Sequence, residues 1–112
     1  MPSNQLGERF KAALLHHRAG RLGDAEAAYR AILAQDSSHV GALHYLGVIA
    51  FEVGRHEVAE GLMQQALQLA PTNPELLSNL GEVHRHRGQA ELASACFLRA
   101  IGNRAKVFRP PQ

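Results

Sequence analysis

Along this chain apolar residues return every three or four positions, in short runs separated by glycine or proline. Leu43, Leu46, Ile49 and Ala50 fall on one side of a helix with 3.6 residues per turn, so the segment is predicted to bury a single stripe. Six such stretches are legible, at about 4–19, 22–35, 39–53, 56–69, 74–87 and 90–103. Gly20, Gly54 and Gly88 stand just past the first, third and fifth, where a helix end commonly takes a left-handed conformation that strains any residue with a Cβ. Pro71-Thr72-Asn73-Pro74 stops one helix and opens the next, with Asn73 as N-cap and Pro74 at the first helical position. Asp36-Ser37-Ser38 predicts the corresponding break earlier in the chain, with Ser38 as the cap.

The spacing of these marks is constant. Gly20, Gly54 and Gly88 are 34 residues apart, and each is followed five positions later by Ala25, Ala59 or Ala93. Large residues (Tyr29, Met63, Phe97) come next, then Ile32, Ala66 and Ala100; upstream, Leu46-Gly47 recurs as Leu80-Gly81, with Ala12-Ala13 in the first copy. Small residues let two helices approach and large ones fill the gaps between them. A 34-residue helix-turn-helix unit with this pattern resembles the tetratricopeptide repeat family. The resemblance covers nearly the whole chain as three units, 6–39, 40–73 and 74–107, with a short tail at 108–112. It implies an all-α, right-handed helical solenoid of six helices forming one domain.

Departures from the family pattern are concentrated in the first unit. The bulky residue that opens the first helix of each unit is Leu43 and Leu77 but Arg9 in the first copy, which suits a terminal unit facing water. The aromatic that usually closes that helix is His16, Ala50 and His84, which places the two histidines as substitutes for a core ring. Arrays of the family generally end in an extra helix, whereas Phe108-Arg109-Pro110-Pro111-Gln112 contains two prolines that forbid one. No C-terminal capping helix is evident, so Val83, Leu98 and Ile101 are expected on an uncovered face of the third unit, available for self-association or for a further repeat.

Composition narrows the function. The 112 residues are 46% hydrophobic and 5% aromatic with no Trp, so the core must be Leu, Ala, Val and Ile at close helix–helix distances. The formal charge of +2 is divided as +1 over 1–39, −2 over 40–73 and +3 over 74–112, too sparse a basic surface for a nucleic-acid site. One cysteine, Cys96, excludes an internal disulfide and fits a reducing, cytoplasmic setting. No apolar segment approaches the roughly 18 residues needed to span a bilayer, and no membrane partner is expected.

No catalytic or metal chemistry emerges. The seven histidines include no pair at i, i+4, and His84 and His86 diverge by about 200° on a helix. Cys96 lies on the small-residue seam of the third unit, where it reads as a small buried hydrophobe rather than a nucleophile. With no phosphate loop and no oxyanion motif, neither enzyme activity nor a cofactor is expected.

A groove is the remaining site. The resemblance implies that positions two, five, six, nine, twelve and thirteen of each unit line a concave surface. The candidates among them are Phe10, Leu14 and His17 in the first unit, then His44, Tyr45, Val48 and Phe51, then Ser78, Asn79, Glu82 and Arg85. Phe51, Tyr45, His44 and Phe10 are the expected hot spots, with Arg85 reading a charge. Arg18, Glu52 and His86, at the thirteenth positions, either bridge adjacent units or touch ligand. Family members that grip a chaperone's C-terminal carboxylate do so with Lys, Asn and Arg; here those places hold Phe10, Leu14, Val48, Ser78 and Glu82, so the clamp is absent. Asn79-Leu80-Gly81 also resembles the repeats ahead of the catalytic region in bacterial O-linked N-acetylglucosamine transferases, although Lys11 and Tyr45 do not match. The sequence thus predicts a scaffold or adaptor that binds a protein or peptide partner, with a self-associating module or a fragment of a larger bacterial protein as the alternative.

Overall fold

A computed structural model describes residues 5–107, with side chains to 103. Six helices follow one another: α1 (Gln5–Arg18), α2 (Leu22–Gln35), α3 (Val40–Glu52), α4 (His56–Leu69), α5 (Pro74–His86) and α6 (Ala90–Val107). The predicted boundaries agree to within two residues except at the end of α6, which runs four residues beyond the expected 103. The tail at 108–112, on which the missing cap was argued, lies outside the described residues.

The punctuation works as the residue types require. Gly20, Gly54 and Gly88 have φ of +79°, +85° and +75°, and no other described residue has a positive φ. Asn73 caps α5 by accepting the Leu76 N–H at 3.1 Å, with Pro74 following it. The cap of α3 is His39, not Ser38. Asp36 Oδ1 accepts the Ser38 N–H at 3.1 Å and holds that residue in a turn, which leaves His39 Nδ1 to accept the Ala42 N–H at 3.0 Å.

Each helix packs on its neighbours in sequence, and α1, α3 and α5 also touch one another in succession. The odd helices therefore form one rank and the even helices another, an all-α solenoid. Small residues make the pairing possible. A Cβ on Gly47 would lie 2.9 Å from Met63 Cγ, and one on Gly81 would lie 2.6 Å from the Phe97 ring. Ala13, Ala25 and Ala59 are fully buried along the same seams. One core cluster holds Tyr29, Ile32, Leu46 and Ile49, the other Leu43, Met63, Leu76, Leu80 and Val83, and Leu33 and Leu62 pack on both.

Val83, expected on an exposed face, is fully buried in the second cluster. It stands 34 positions after Ile49, whose place in the buried stripe it repeats. Leu98 and Ile101 are exposed, at 68% and 64%. His84 does fill a core position at 2% exposure, whereas His16 is half-buried and accepts Arg21 Nε at 3.0 Å.

Candidate functional site

The face formed by α1, α3 and α5 carries the residues that the repeat pattern assigns to a groove. Phe10, Leu14 and His17 come from α1, Tyr45, Val48 and Phe51 from α3, and Ser78, Asn79 and Glu82 from α5, all half-buried; Arg85 is exposed. His44 departs from expectation. It is 3% exposed, so it belongs to the wall between α3 and α5 rather than to the accessible face.

Contacts across this face connect successive units with an offset. His17 Nε2 donates to Glu52 Oε1 at 2.5 Å, and the Asn79 side-chain amide donates to His44 Nε2 at 2.8 Å, each pair 35 residues apart. Phe10 lies 6.0 Å from Tyr45 between ring centroids, and Phe51 meets His86 edge-on at 4.9 Å. One unit's fifth position therefore meets the sixth of the next, and its twelfth meets the thirteenth. Of the thirteenth positions, Glu52 and His86 serve as bridges, while Arg18 is exposed.

The first two units enclose an aromatic cluster. Tyr29 of α2, not assigned to the groove from sequence, sits fully buried beneath Phe10, His17 and Tyr45, with centroids 6.0 to 6.4 Å away. Its hydroxyl has no hydrogen-bond partner, and burial, opposed by Arg18, pushes its pKa up to about 12. Tyr45 donates to Glu75 Oε1 at 2.6 Å, and its pKa also rises to about 12, first through burial and then through that hydrogen bond. His44 stacks on Tyr45 at 4.6 Å. Its pKa falls below the ordinary imidazole value because burial disfavours the cation, against the pull of Glu75. Neutral Nε2 thus accepts from Asn79.

The other end of the face is charged. Arg85 clasps Glu82 through two hydrogen bonds, Nη2 at 2.9 Å and Nε at 3.3 Å, and the arginine's donation holds the Glu82 carboxyl below the usual range. Each charge is thus balanced by the other. The Phe51 ring, flanked by His56 at 5.0 Å and by His86, marks the transition from apolar to polar. His56 was missed from sequence because it opens α4, a helix that the pattern assigns to the other rank.

Among the described residues no group of three or more His, Cys, Asp or Glu is arranged to hold a metal ion. Cys96 is 7% exposed, and burial, opposed by Arg99, raises its thiol pKa, the reverse of what activates a nucleophile. No described helix is long and apolar enough to cross a membrane.

Comparison with known proteins follows the same lines. Tetratricopeptide repeat profiles match residues 10–74 and 50–106. Human tetratricopeptide repeat protein 7B is 33% identical over 82 residues, which is 73% of this chain and 10% of that protein; human protein 7A is 32% identical over a segment of the same length. The chain spans about a tenth of the length of these curated relatives. Among solved structures, the Yersinia enterocolitica type III secretion chaperone SycD, in complex with a peptide of the translocator YopD, superposes with a TM-score of 0.84 at 16% identity, over 97% of this chain and 81% of that one. MamA gives 0.84 at 15% identity, over 94% and 61%. The second repeat domain of Spaghetti, bound to the HSP90 peptide SRMEEVD, gives 0.81 at 16% identity, over 87% and 90%. At such identities the structures share a fold with this chain, and the profile matches, each covering half of it or more, show that the chain belongs to the tetratricopeptide repeat family.

Proposed function

We propose that this chain is a protein-interaction module, an adaptor or scaffold rather than an enzyme, which holds a peptide or an amphipathic helix along the face of α1, α3 and α5. The observation that carries the reading is the alignment of half-buried Leu14, Tyr45, Val48 and Phe51 next to the Glu82–Arg85 pair. A partner with an apolar stripe and a charged end is complementary to it. Its side chains are already held by contacts between units, so little freedom is lost on binding. SycD and Spaghetti, similar in fold, bind peptides.

The terminal carboxylate of a chaperone tail is a poor fit. Phe10, Leu14 and Val48 offer no cation, and Glu82 repels an anion unless Arg85 turns away from it. Calorimetry with the peptide SRMEEVD tests this, and micromolar affinity refutes it. For the groove itself, a partner captured by the full chain should lose affinity on Phe51→Ala and on Arg85→Glu while the melting temperature is kept. Unchanged binding by both variants rejects the groove.

A second reading is favoured by one observation, the exposure of Leu98 and Ile101 at 68% and 64% on α6. Self-association there would give a concentration-dependent dimer in sedimentation, lost in Leu98→Glu. The place ahead of a glycosyltransferase domain gains less support, since the Asn79 amide is engaged by His44. The single buried Cys96 suits a reducing compartment such as the cytoplasm.

A further inference from the structure

The two junctions between units carry the same acidic residue and use it differently. Glu26 on α2 and Glu60 on α4 stand 34 positions apart. At the second junction the Glu60 carboxylate accepts Arg87 Nη1 at 2.5 Å and lies 3.7 Å from Nδ1 of buried His84, which donates to Gln89 Oε1 at 2.7 Å. Long polar side chains from the end of α5 and the loop beyond it thus reach that carboxylate or one another.

At the first junction the places of His84, Arg87 and Gln89 are taken by Ala50, Val53 and Arg55. Ala50 and Val53 are too short to reach Glu26, which turns along its own helix to Arg30 at 3.0 Å. The interval stays open as a cleft of about 360 Å³ between α2 and α4, with Leu46, Ile49 and Ala50 of α3 among its lining. On its border Val53 and Val58 are 54% and 47% exposed. Arg55 also lines it, and no described carboxylate lies within ion-pair distance of that guanidinium.

We propose that this cleft is a second binding site, separate from the face of α1, α3 and α5, which takes an acidic segment of a partner protein. One large apolar side chain of that segment enters beside Val53 and Val58, and a neighbouring carboxylate rests on Arg55. The apolar anchor follows from Leu22, Val53, Val58 and Leu62, the apolar part of a lining whose polar part is Glu26, Arg30 and Arg55. The acidic character follows from charge: Arg30 already balances Glu26, and the Arg55 cation is the charge left over. The volume falls within the range of about 300–1,000 Å³ usual for ligand sites.

The test uses the isotope-labelled full chain and an acetylated peptide, Asp-Glu-Leu-Phe-Glu-Asp, followed by amide chemical shifts. Shifts are expected at Gly23, Val53, Arg55 and Val58, with Tyr45, Phe51 and Arg85 unmoved. A peptide with Lys in place of every acid should bind at least about tenfold more weakly, as should the Arg55→Glu variant with the acidic peptide. Val53→Arg places at the first junction the residue found at the second. It should fill the cleft, reach Glu26 and abolish binding while the melting temperature is kept or raised, which separates loss of the site from loss of the fold. No shifts at millimolar peptide, shifts confined to the other face, equal binding of the lysine peptide, or undiminished binding to Val53→Arg would each overturn the proposal.

Discussion

His44 and Asn79 lie 35 residues apart, and the amide of the second donates to Nε2 of the first at 2.8 Å inside the wall between α3 and α5. The bond requires a neutral imidazole. Burial keeps it so by lowering the His44 pKa, with Glu75 opposing from the next unit and the Tyr45 ring stacked alongside.

The pH dependence follows from that direction. A histidine whose pKa is lower in the folded chain leaves the unfolded chain holding more protons, so its contribution is complete above the unfolded value of about 6.5 and is lost as pH falls below it. His44→Gln keeps a side-chain acceptor for Asn79 and removes the titration. Urea unfolding between about pH 7 and pH 5 should show a shallower loss of stability in the variant than in the parent chain. Equal slopes would mean that other groups govern acid lability.

The two tyrosines give a test at the opposite end of the scale. Tyr29 and Tyr45 are the chain's only ones, and both are pushed up to about 12. A raised pKa means that the folded chain keeps the proton which the unfolded chain gives up at about 10, so stability is lost as pH climbs from about 10 toward 12. Phenolate absorbance should therefore be nearly absent from the native chain at about pH 10.5 and present in urea at the same pH. Substantial native phenolate there would show that the aromatic cluster is open to water.

How far the sequence led depends on which relation between units a residue obeys. The glycine, alanine and proline marks act within one unit, so their 34-residue period was enough to place six helices and the seams at Gly47 and Gly81. The contacts that join α1 to α3 and α3 to α5 through His17–Glu52, His44–Asn79, Phe10–Tyr45 and Phe51–His86 follow a separation of 35, which a comparison of like positions does not show. That is why His44 and Asn79 read as two groove residues rather than as partners. Val83 is legible from the period itself: Ile49 lies in the buried stripe, and the same position one repeat later is core too, at 4% and 0% exposure. The cleft over Ala50 and Val53 has no motif of its own and stands out only against the polar contacts of the junction that follows it.

Close approach of α5 and α6 makes Gly81 a sensitive position. A Cβ there would fall 2.6 to 2.9 Å from three atoms of the Phe97 ring, and overpacking of this kind costs about 1–3 kcal/mol. Gly81→Ala should lower the urea midpoint, and Phe97→Leu in the same chain should restore part of the loss. Gly61, inside α4 with nothing within 4 Å of its added Cβ, is the control, where alanine should raise stability by about 0.5–1 kcal/mol through helix propensity. Equal responses at both sites would mean that the seam is looser than its geometry.

Glu60 and Glu26 offer a comparison of one side chain in two settings. Glu60 is 25% exposed at its side chain and is shared by Arg87 from the following unit and by buried His84, so its removal leaves both without their carboxylate. Among the described residues Glu26 pairs with Arg30 alone, an i,i+4 neighbour whose side chain is 59% exposed, and such pairs are worth about 0.3–0.5 kcal/mol. Glu60→Ala should thus cost about 1–2 kcal/mol, reduced from a fully buried pair by the water that still reaches it, and Glu26→Ala a few tenths. A double-mutant cycle with Arg87→Ala should return a coupling of at least about 0.5 kcal/mol for Glu60. Near-additive losses there, or equal losses at the two glutamates, would place the strength of the second junction in its apolar packing instead.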